Sequence, residues 1–171
     1  MSIPVLDVRD LTGNPGATRT QEVTGSLEDL GSELVRVPDD APVKARLLLE
    51  SLVEGLLVSG RIEGSWILVC ARCLTEWPDT FSATVHELFT TDAQGDDDAY
   101  PYDAETGLDP AQMIRDAIGT QMPFAPLCRP DCAGLCEICG GDRNLGGCPG
   151  HERMDPRFAV LADLVLPDLD T

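Results

Sequence analysis

The chain has 171 residues, with 30 Asp and Glu against 12 Lys and Arg, so its formal net charge is −18. This length suits one domain, and the charge argues against a typical nucleic-acid binder, which presents a basic stripe to the phosphates. Because no apolar run approaches the roughly 18 residues of a membrane span and no signal-peptide pattern opens the chain, we expect a single cytoplasmic domain without membrane contact.

Residues 1–90 predict a β-rich part of this domain. Residues 3–6 are apolar and predict an edge strand, whereas residues 27–34 predict a short helix or an extended segment. Alternating or glycine-bounded apolar runs predict four short strands, at residues 43–47, 56–62, 66–69 and 81–85. Four short strands joined by turns favour an antiparallel meander that curls towards a barrel or half-barrel.

An acidic segment follows at residues 91–107. It includes Asp96, Asp97 and Asp98, and only Tyr100 and Tyr102 are able to anchor it. A calcium loop would need acids at alternating positions, a glycine turn and a late glutamate, and that pattern is absent. We therefore expect a flexible acidic loop.

Residues 108–171 predict a helix and a cysteine-rich C-terminal part. Asp109 and Pro110 give a helix start, with aspartate at the cap and proline in the first turn. The apolar stripe that follows at helical spacing consists of Met113, Ile114, Ala117 and Ile118. A second start, Asp155-Pro156, precedes another apolar run. The fold class is therefore α+β, with one or two helices packed on the sheet.

Five cysteines lie in a polar, glycine-rich stretch that cannot bury a core of its own: Cys128, Cys132, Cys136, Cys139 and Cys148. Ordering such a loop costs roughly 1–2 kcal/mol per residue, so something other than packing must hold it. Cys136 and Cys139, followed by Gly140, match the knuckle that tetrahedral zinc favours. We predict one structural zinc per chain, bound by Cys136, Cys139, Cys148 and either Cys132 or Cys128.

Other uses of these thiols remain open. Redox chemistry, an iron–sulfur cluster and unliganded thiols are the alternatives to zinc. A complete disulfide framework is disfavoured because seven cysteines is an odd number. His151 is a further candidate ligand, although a solvated loop histidine is the simpler interpretation.

A second thiol pair, Cys70 and Cys73, is predicted at the tip of a hairpin. Such a pair can hold half of a zinc site, act as a redox dithiol or simply pack. A thioredoxin-like pair should open a helix, but residues 74–78 predict a turn into another strand. A split zinc ribbon that joins this pair with Cys136 and Cys139 is the alternative to the single late site.

Catalytic patterns are scarce. The sequence has no phosphate-binding glycine loop, and His86 and His151 are its only histidines. An all-thiolate metal set is typical of a closed structural site, whereas a catalytic one keeps an open position. We therefore predict that the protein is not an enzyme.

Several motifs occur in an order that resembles one family. They are Cys-Ala-Arg-Cys-Leu at 70–74, Glu-Leu-Phe at 87–89, Met-Pro-Phe-Ala-Pro-Leu-Cys at 122–128 and Cys-Ala-Gly-Leu-Cys-Glu-Ile-Cys-Gly at 132–140. Together they resemble the YceD family, bacterial and plastid proteins linked to accumulation of large-subunit ribosomal RNA. Many relatives show Cys-x-Cys where this chain has Cys148-Pro149-Gly150, so the second thiol is missing here.

The resemblance implies a cytosolic, non-catalytic factor that supports processing or stability of this RNA. The acidic charge favours a basic protein partner, such as a ribosomal or assembly protein, with at most weak or indirect RNA contact. The candidates for such contact are the arginines near the cysteine motifs, namely Arg72, Arg129, Arg143 and Arg157. The alternative function is a zinc-thiolate redox sensor or a regulatory adaptor.

Overall fold

A computed structural model gives the fold and describes residues 2–92, 99–151 and 157. Within these ranges one α-helix, α1, spans Ala111–Gln121, and a short 3-10 turn spans Arg143–Leu145. Six strands form a single sheet: β1 (Thr18–Gly25), β2 (Val35–Arg36), β3 (Val43–Ser51), β4 (Leu56–Val69), β5 (Glu76–Thr90) and β6 (Ala99–Pro101).

The sheet has the strand order β1-β3-β4-β5-β6, and β2 pairs with β4 beside this path. All pairings are antiparallel except that of β6, which runs parallel to β5. The two longest strands pair from Leu56 opposite Phe89 to Val69 opposite Glu76, so the turn between them lies at one end of a long hairpin. The sheet curls into a half-barrel, which confirms the predicted meander.

The core lies between the concave face of this sheet, α1 and the N-terminal segment. Every second residue of β3 is buried, and α1 buries one face against the sheet. Burying a large aliphatic side chain contributes about 1.5–3 kcal/mol, so this cluster is a substantial core in its own right. Cys70, Cys73 and Cys132 form a second, smaller buried cluster, and Trp77 packs against both clusters.

Three predicted elements differ from the structure. The runs 56–62 and 66–69 belong to the single strand β4, and Gly64 does not interrupt it. This glycine leaves room for the Phe81 ring, because a Cβ at position 64 would lie 2.6 Å from the Phe81 side chain. Residues 3–6 form no strand, and only Leu6 makes an isolated bridge, with Leu108; residues 27–34 contain no helix and only an isolated bridge at Gly31. The polar strand β1 was not predicted, since its first five residues lack the apolar alternation of a half-buried strand.

The acidic segment is structured where it is described. Residues 93–98, which include Asp96, Asp97 and Asp98, lie outside the described residues, but β6 follows them directly. The Tyr100 ring stacks on Phe89 with 5.3 Å between centroids. The predicted loop at 91–107 is therefore wrong for its C-terminal part, although Tyr100 and Tyr102 do pack on the core as anchors. Flexibility of the remainder stays a prediction.

The helix α1 begins one residue later than predicted. Pro110 is its N-cap, and Asp109 Oδ1 accepts a hydrogen bond from the Ala111 backbone N–H at 2.9 Å. The second predicted start at Asp155-Pro156 lies outside the described residues. In the part of the chain that is described, no helix is both long and apolar enough to cross a membrane.

Candidate metal centres

The seven cysteines and one histidine fall into two groups of four. In each group the candidate ligand atoms all lie within 4.8 Å of one another. The first cluster contains Cys70, Cys73, Cys128 and Cys132. The second cluster contains Cys136, Cys139, Cys148 and His151. None of the cysteines forms a disulfide, so all seven thiols are available as ligands.

The first cluster joins two distant parts of the chain. Cys70 and Cys73 lie in the turn between β4 and β5, whereas Cys128 and Cys132 follow α1. The sequence separations across the cluster are 62 residues between Cys70 and Cys132 and 55 residues between Cys73 and Cys128. Cys70, Cys73 and Cys132 are buried, and Cys128 is exposed.

The sulfur spacing in the first cluster fits a tetrahedral metal ion. The Sγ atoms of Cys70 and Cys132 are 3.8 Å apart, and those of Cys73 and Cys128 are 3.6 Å apart. A disulfide would require about 2.05 Å. Four sulfurs at about 2.3 Å from a zinc ion lie about 3.8 Å from one another, because they occupy the corners of a regular tetrahedron. The thiols therefore already stand where such an ion needs them.

The turn at Cys70 is closed by two backbone hydrogen bonds. The Cys70 N–H donates to the Thr75 carbonyl at 2.9 Å, and the Leu74 N–H donates to the Cys70 carbonyl at 2.9 Å. Leu74 adopts a left-handed backbone with φ 60°, a conformation that costs a residue with a Cβ roughly 1–2 kcal/mol. Its side chain is 59% exposed, so packing does not account for this strain.

The turn at Cys136 has the same geometry. The Cys136 N–H donates to the Gly141 carbonyl at 2.9 Å, and the Gly140 N–H donates to the Cys136 carbonyl at 2.8 Å. Gly140 has φ 70°, which glycine adopts without the penalty of a Cβ. This knuckle was predicted from its glycine, whereas Cys70 and Cys73, followed by Leu74 in the corresponding place, were predicted only as a pair with several possible uses, half of a zinc site among them.

Electrostatics in the first cluster favour one thiolate over its neighbours. Burial raises the pKa of Cys70, but backbone N–H groups that include those of Cys128 and Cys73 lower it more, to about 6. Desolvation of the sulfur, together with the neighbouring Cys73 thiol, raises the pKa of Cys128 to about 12. Several thiolates this close repel one another, and a bound divalent cation removes that repulsion.

The second cluster shows the same contrast. The backbone N–H groups of Cys139 and Ile138 point at the Cys136 sulfur and lower its pKa to about 6. The Gly150 N–H lowers the pKa of Cys148, but the neighbouring Cys136 and burial raise it by more, so the net pKa of Cys148 lies above the usual range. Since the thiolate is the form that binds metal, each cluster presents one thiol already poised to bind.

Arginines predicted to contact RNA lie within this region. Arg72 Nη1 donates to the Cys132 carbonyl at 2.9 Å. Arg143 hydrogen-bonds to Cys136, and the negative charge there raises the pKa of the arginine. Arg157 is exposed. The first two guanidinium groups therefore contact the clusters themselves, and RNA contact by any of the predicted arginines stays a prediction.

Asn144, in the 3-10 turn of the second cluster's loop, links that loop to the first cluster. Its Nδ2 donates to Cys132 Sγ at 3.6 Å and to Asp142 Oδ1 at 2.8 Å. Its Oδ1 accepts from the Ala133 N–H at 2.8 Å and from Arg129 Nη2 at 2.6 Å. This role of Asn144 was not predicted, because an asparagine in a glycine-rich loop carries no signal in the sequence that identifies its partners.

The grouping differs from the predicted single site. Cys128 and Cys132 lie with Cys70 and Cys73, so neither the late four-thiol site nor the split ribbon describes the distances. The chain passes from one cluster to the other directly after Cys132, where the Leu135 N–H donates to the Arg72 carbonyl at 2.9 Å. This contact holds Cys128 and Cys132 close to the β4–β5 turn. The fourth candidate ligand of the second cluster is His151.

A face of mixed charge on the outer side of the sheet was not predicted from the sequence. Arg46 on β3 lies opposite Glu22 of β1 on one side and Arg61 of β4 on the other, and Lys44 lies opposite Glu63. All five side chains are exposed, and Arg61 Nη1 lies 3.8 Å from Glu63 Oε1. Three basic and two acidic side chains therefore share this surface.

Comparison with known proteins identifies similar chains. Residues 58–165 match the family model described as large ribosomal RNA subunit accumulation protein YceD, a range that contains every residue of both clusters. An uncharacterized protein of Mycobacterium leprae is 36% identical over 171 residues, covering 96% of this chain and 79% of the relative. Uncharacterized proteins of Mycobacterium bovis and Mycobacterium tuberculosis are 35% identical over 174 residues, covering 97% of this chain and 83% of each relative. No solved structure matches the chain.

Proposed function

Because the chain belongs to the YceD family, we propose that it is a non-catalytic factor that supports the accumulation of large-subunit ribosomal RNA. The observation that carries this proposal is the family match over residues 58–165, which spans β4, β5, α1 and both cysteine clusters. A role in processing or in stability of the RNA is consistent with it.

A protein partner is the better route to the ribosome than direct RNA binding. At a net charge of −18 the chain repels polyanions, and affinity for RNA depends on the phosphates that basic side chains neutralise. Arg72 and Arg143 already contact the clusters. An acidic surface instead attracts a basic ribosomal or assembly protein, with an association rate that falls as salt rises.

The absence of catalysis is part of the same proposal. Each cluster supplies four ligands, which fills a tetrahedral zinc ion and leaves no open position for a substrate. His86 Nδ1 lies 2.8 Å from Ser59 Oγ, so a nucleophile–base pair has to be considered. Ser59 and His86 lie opposite each other on paired strands at an exposed surface. The backbone N–H groups there form the hydrogen bonds of the sheet and are not free to stabilise an oxyanion, so the pair lacks what a catalytic nucleophile needs.

Zinc is the metal that we propose for the clusters. Thiolate and imidazole donors suit zinc, whereas magnesium and calcium prefer oxygen. Ligand atoms within 4.8 Å of one another suit a single ion, because a multinuclear iron–sulfur cluster holds its cysteines farther apart. Zinc has no redox chemistry of its own, which is consistent with a structural role.

Depletion of the protein in its own bacterium tests the ribosomal role. We expect mature large-subunit RNA to fall relative to small-subunit RNA, and the wild-type chain to restore the ratio. The ratio is measured by electrophoresis of total RNA. An unchanged ratio after complete depletion would contradict the role.

Affinity capture from native lysate tests whether the chain reaches the ribosome through a protein partner. We expect a basic ribosomal or assembly protein to be recovered at low salt and lost as salt rises. The purified protein should bind isolated ribosomal RNA weakly at physiological salt. Tight binding that disappears when Arg46 and Arg61 are changed to alanine would contradict the protein-partner route and favour this face of the sheet as an RNA surface.

A zinc-thiolate redox sensor is the second candidate function. Cys128 and Cys139 are exposed, so an oxidant has access to one thiol of each cluster. Zinc retention under mild peroxide separates the two functions. A sensor releases its metal, whereas a structural site keeps it.

A further inference from the structure

We infer that each chain binds two zinc ions in two separate centres: one formed by Cys70, Cys73, Cys128 and Cys132, and one formed by Cys136, Cys139, Cys148 and His151. This inference rests on the zinc assignment in the proposed function and is independent of the ribosomal role.

The two centres have no ligand in common. Eight different residues supply the eight ligand atoms, so one ion does not displace the other. All seven cysteines of the chain are used, which explains why an odd number of thiols is present: the eighth ligand is an imidazole. A four-thiol centre and a three-thiol centre together require seven cysteines, which is the odd number that argues against a complete set of disulfides.

Backbone geometry marks both centres independently of the side-chain distances. Each begins with a Cys-x-x-Cys turn closed by the same two hydrogen bonds, and the residue after its second cysteine is left-handed, Leu74 in one and Gly140 in the other. A leucine adopts that backbone at a cost of roughly 1–2 kcal/mol. Metal binding by the first turn gives a reason for the strain, since the turn directs both sulfurs to the same point.

The donor sets differ in charge and in access. Four thiolates around a divalent ion leave −2, whereas three thiolates and a neutral imidazole leave about −1. In the first centre three of the four ligands are buried, whereas in the second Cys139 and His151 are exposed. A chelator in solution therefore reaches the second ion more easily, and the two ions should leave at different rates.

The centres also have different structural roles. The first joins the β4–β5 turn to the segment after α1, across separations of 55 and 62 residues. The second closes a local loop within residues 136–151. Loss of the first ion therefore releases the connection between the β4–β5 turn and the segment after α1. Loss of the second ion disturbs only the loop at residues 136–151 and the residues that Asn144 contacts.

Metal analysis of the full-length chain, purified without added metal, tests the inference. We expect two zinc ions per chain and two kinetic phases of release to a coloured chelator. His151→Ala should lower the content to one and remove the faster phase, and Cys73→Ser should remove the slower phase. His86→Ala changes the other histidine, so it should keep both ions and serves as the matched control.

Cobalt substitution provides a readout that does not depend on a cysteine variant remaining folded. We expect the spectrum to be the sum of a four-thiolate and a three-thiolate, one-imidazole site, and His151→Cys to convert it to four-thiolate character at an unchanged two ions per chain. One zinc per chain would overturn the two-centre inference, and two ions with His151→Ala unchanged would overturn His151 as the eighth ligand; both outcomes leave zinc in place. Absence of zinc, or iron in its place, would overturn the zinc assignment as well.

Discussion

Leu74 adopts a strained backbone at an exposed site, which makes it a test of the first knuckle. Leu74→Gly removes a Cβ penalty of roughly 1–2 kcal/mol and adds about 0.5–1 kcal/mol of unfolded-state entropy cost. We expect stability to rise by up to about 1.5 kcal/mol, measured by urea unfolding of the zinc-loaded protein. Leu48→Gly, at a partly exposed leucine in β3, is the control and should destabilise. Equal losses from both changes would contradict the strain argument.

Asn144 belongs to the loop of the second cluster, but its amide donates to Cys132 of the first. Hydrogen bonds to ligands typically change metal affinity by about 10–100-fold. We therefore expect Asn144→Ala to speed release of the buried zinc by a factor in that range, measured by chelator competition. Asn14→Ala, at the only other asparagine, is the control. An effect confined to the more exposed zinc would show that Asn144 serves only its own loop.

At the scale of elements, Tyr100 connects β6 both to the sheet and to α1. It stacks on Phe89 of β5, with which β6 also pairs, and its hydroxyl donates to Asp116 Oδ2 of α1 at 2.9 Å. These contacts explain why a segment expected to be a flexible loop contains a strand. The Tyr100 hydroxyl also makes the contribution of this connection to stability depend on pH.

Burial, followed by the hydrogen bond to Asp116, raises the pKa of Tyr100 to about 12. The folded state therefore favours the neutral phenol. Its contribution to stability is fully present below the unfolded pKa of about 10 and is lost as pH rises through about 12. We expect Tyr100→Phe to cost about 0.5–1.5 kcal/mol near neutral pH and progressively less above pH 10.

Urea unfolding at a series of pH values measures this difference, and tyrosinate absorbance reports the titration directly. Tyr102→Phe is the matched control, because it removes the other tyrosine hydroxyl of the chain. A constant cost across the alkaline range would show that the hydroxyl does not act through its ionisation.

At the scale of the whole molecule, the sheet and the cysteine region depend on different forces. The sheet and α1 have an apolar core, whereas the two cysteine clusters bury little besides four thiols, those of Cys70, Cys73, Cys132 and Cys136. The proposed zinc ions would therefore be the main source of order for residues 128–151, because apparent zinc binding energies are of the order of 10–16 kcal/mol per site.

Chelation should accordingly expose residues 128–151 to proteases and hydrogen exchange while β3, β4 and β5 remain protected. Trp77 packs against both the core and the first cluster, so its fluorescence should change with metal loss. The Trp66 ring packs at a tilt against Phe81 inside the core, with 5.0 Å between the ring centroids, so its fluorescence should change little. Trp77→Phe separates the two signals. Simultaneous loss of protection in the sheet would contradict separate stabilisation.

Local patterns determined much of this protein. Apolar alternation specified the central strands, the helical stripe specified α1, and Cys136, Cys139 and Gly140 specified a knuckle, because each depends on neighbours within a few residues. The position of Cys70 and Cys73 at a hairpin tip was also readable. A polar edge strand such as β1 was not, since its stability comes from pairing with β3 rather than from its own side chains.

Only the tertiary structure decided which cysteines meet. Cys128 and Cys132 are closer in sequence to Cys136 than to Cys70, and spacing alone therefore assigned one or the other of them to a single late site. The long β4–β5 hairpin carries its tip to the segment after α1, and the Leu135–Arg72 backbone contact holds the two together. Ligand sets that close over 55 to 62 residues depend on the path of the chain between them, which no local pattern encodes.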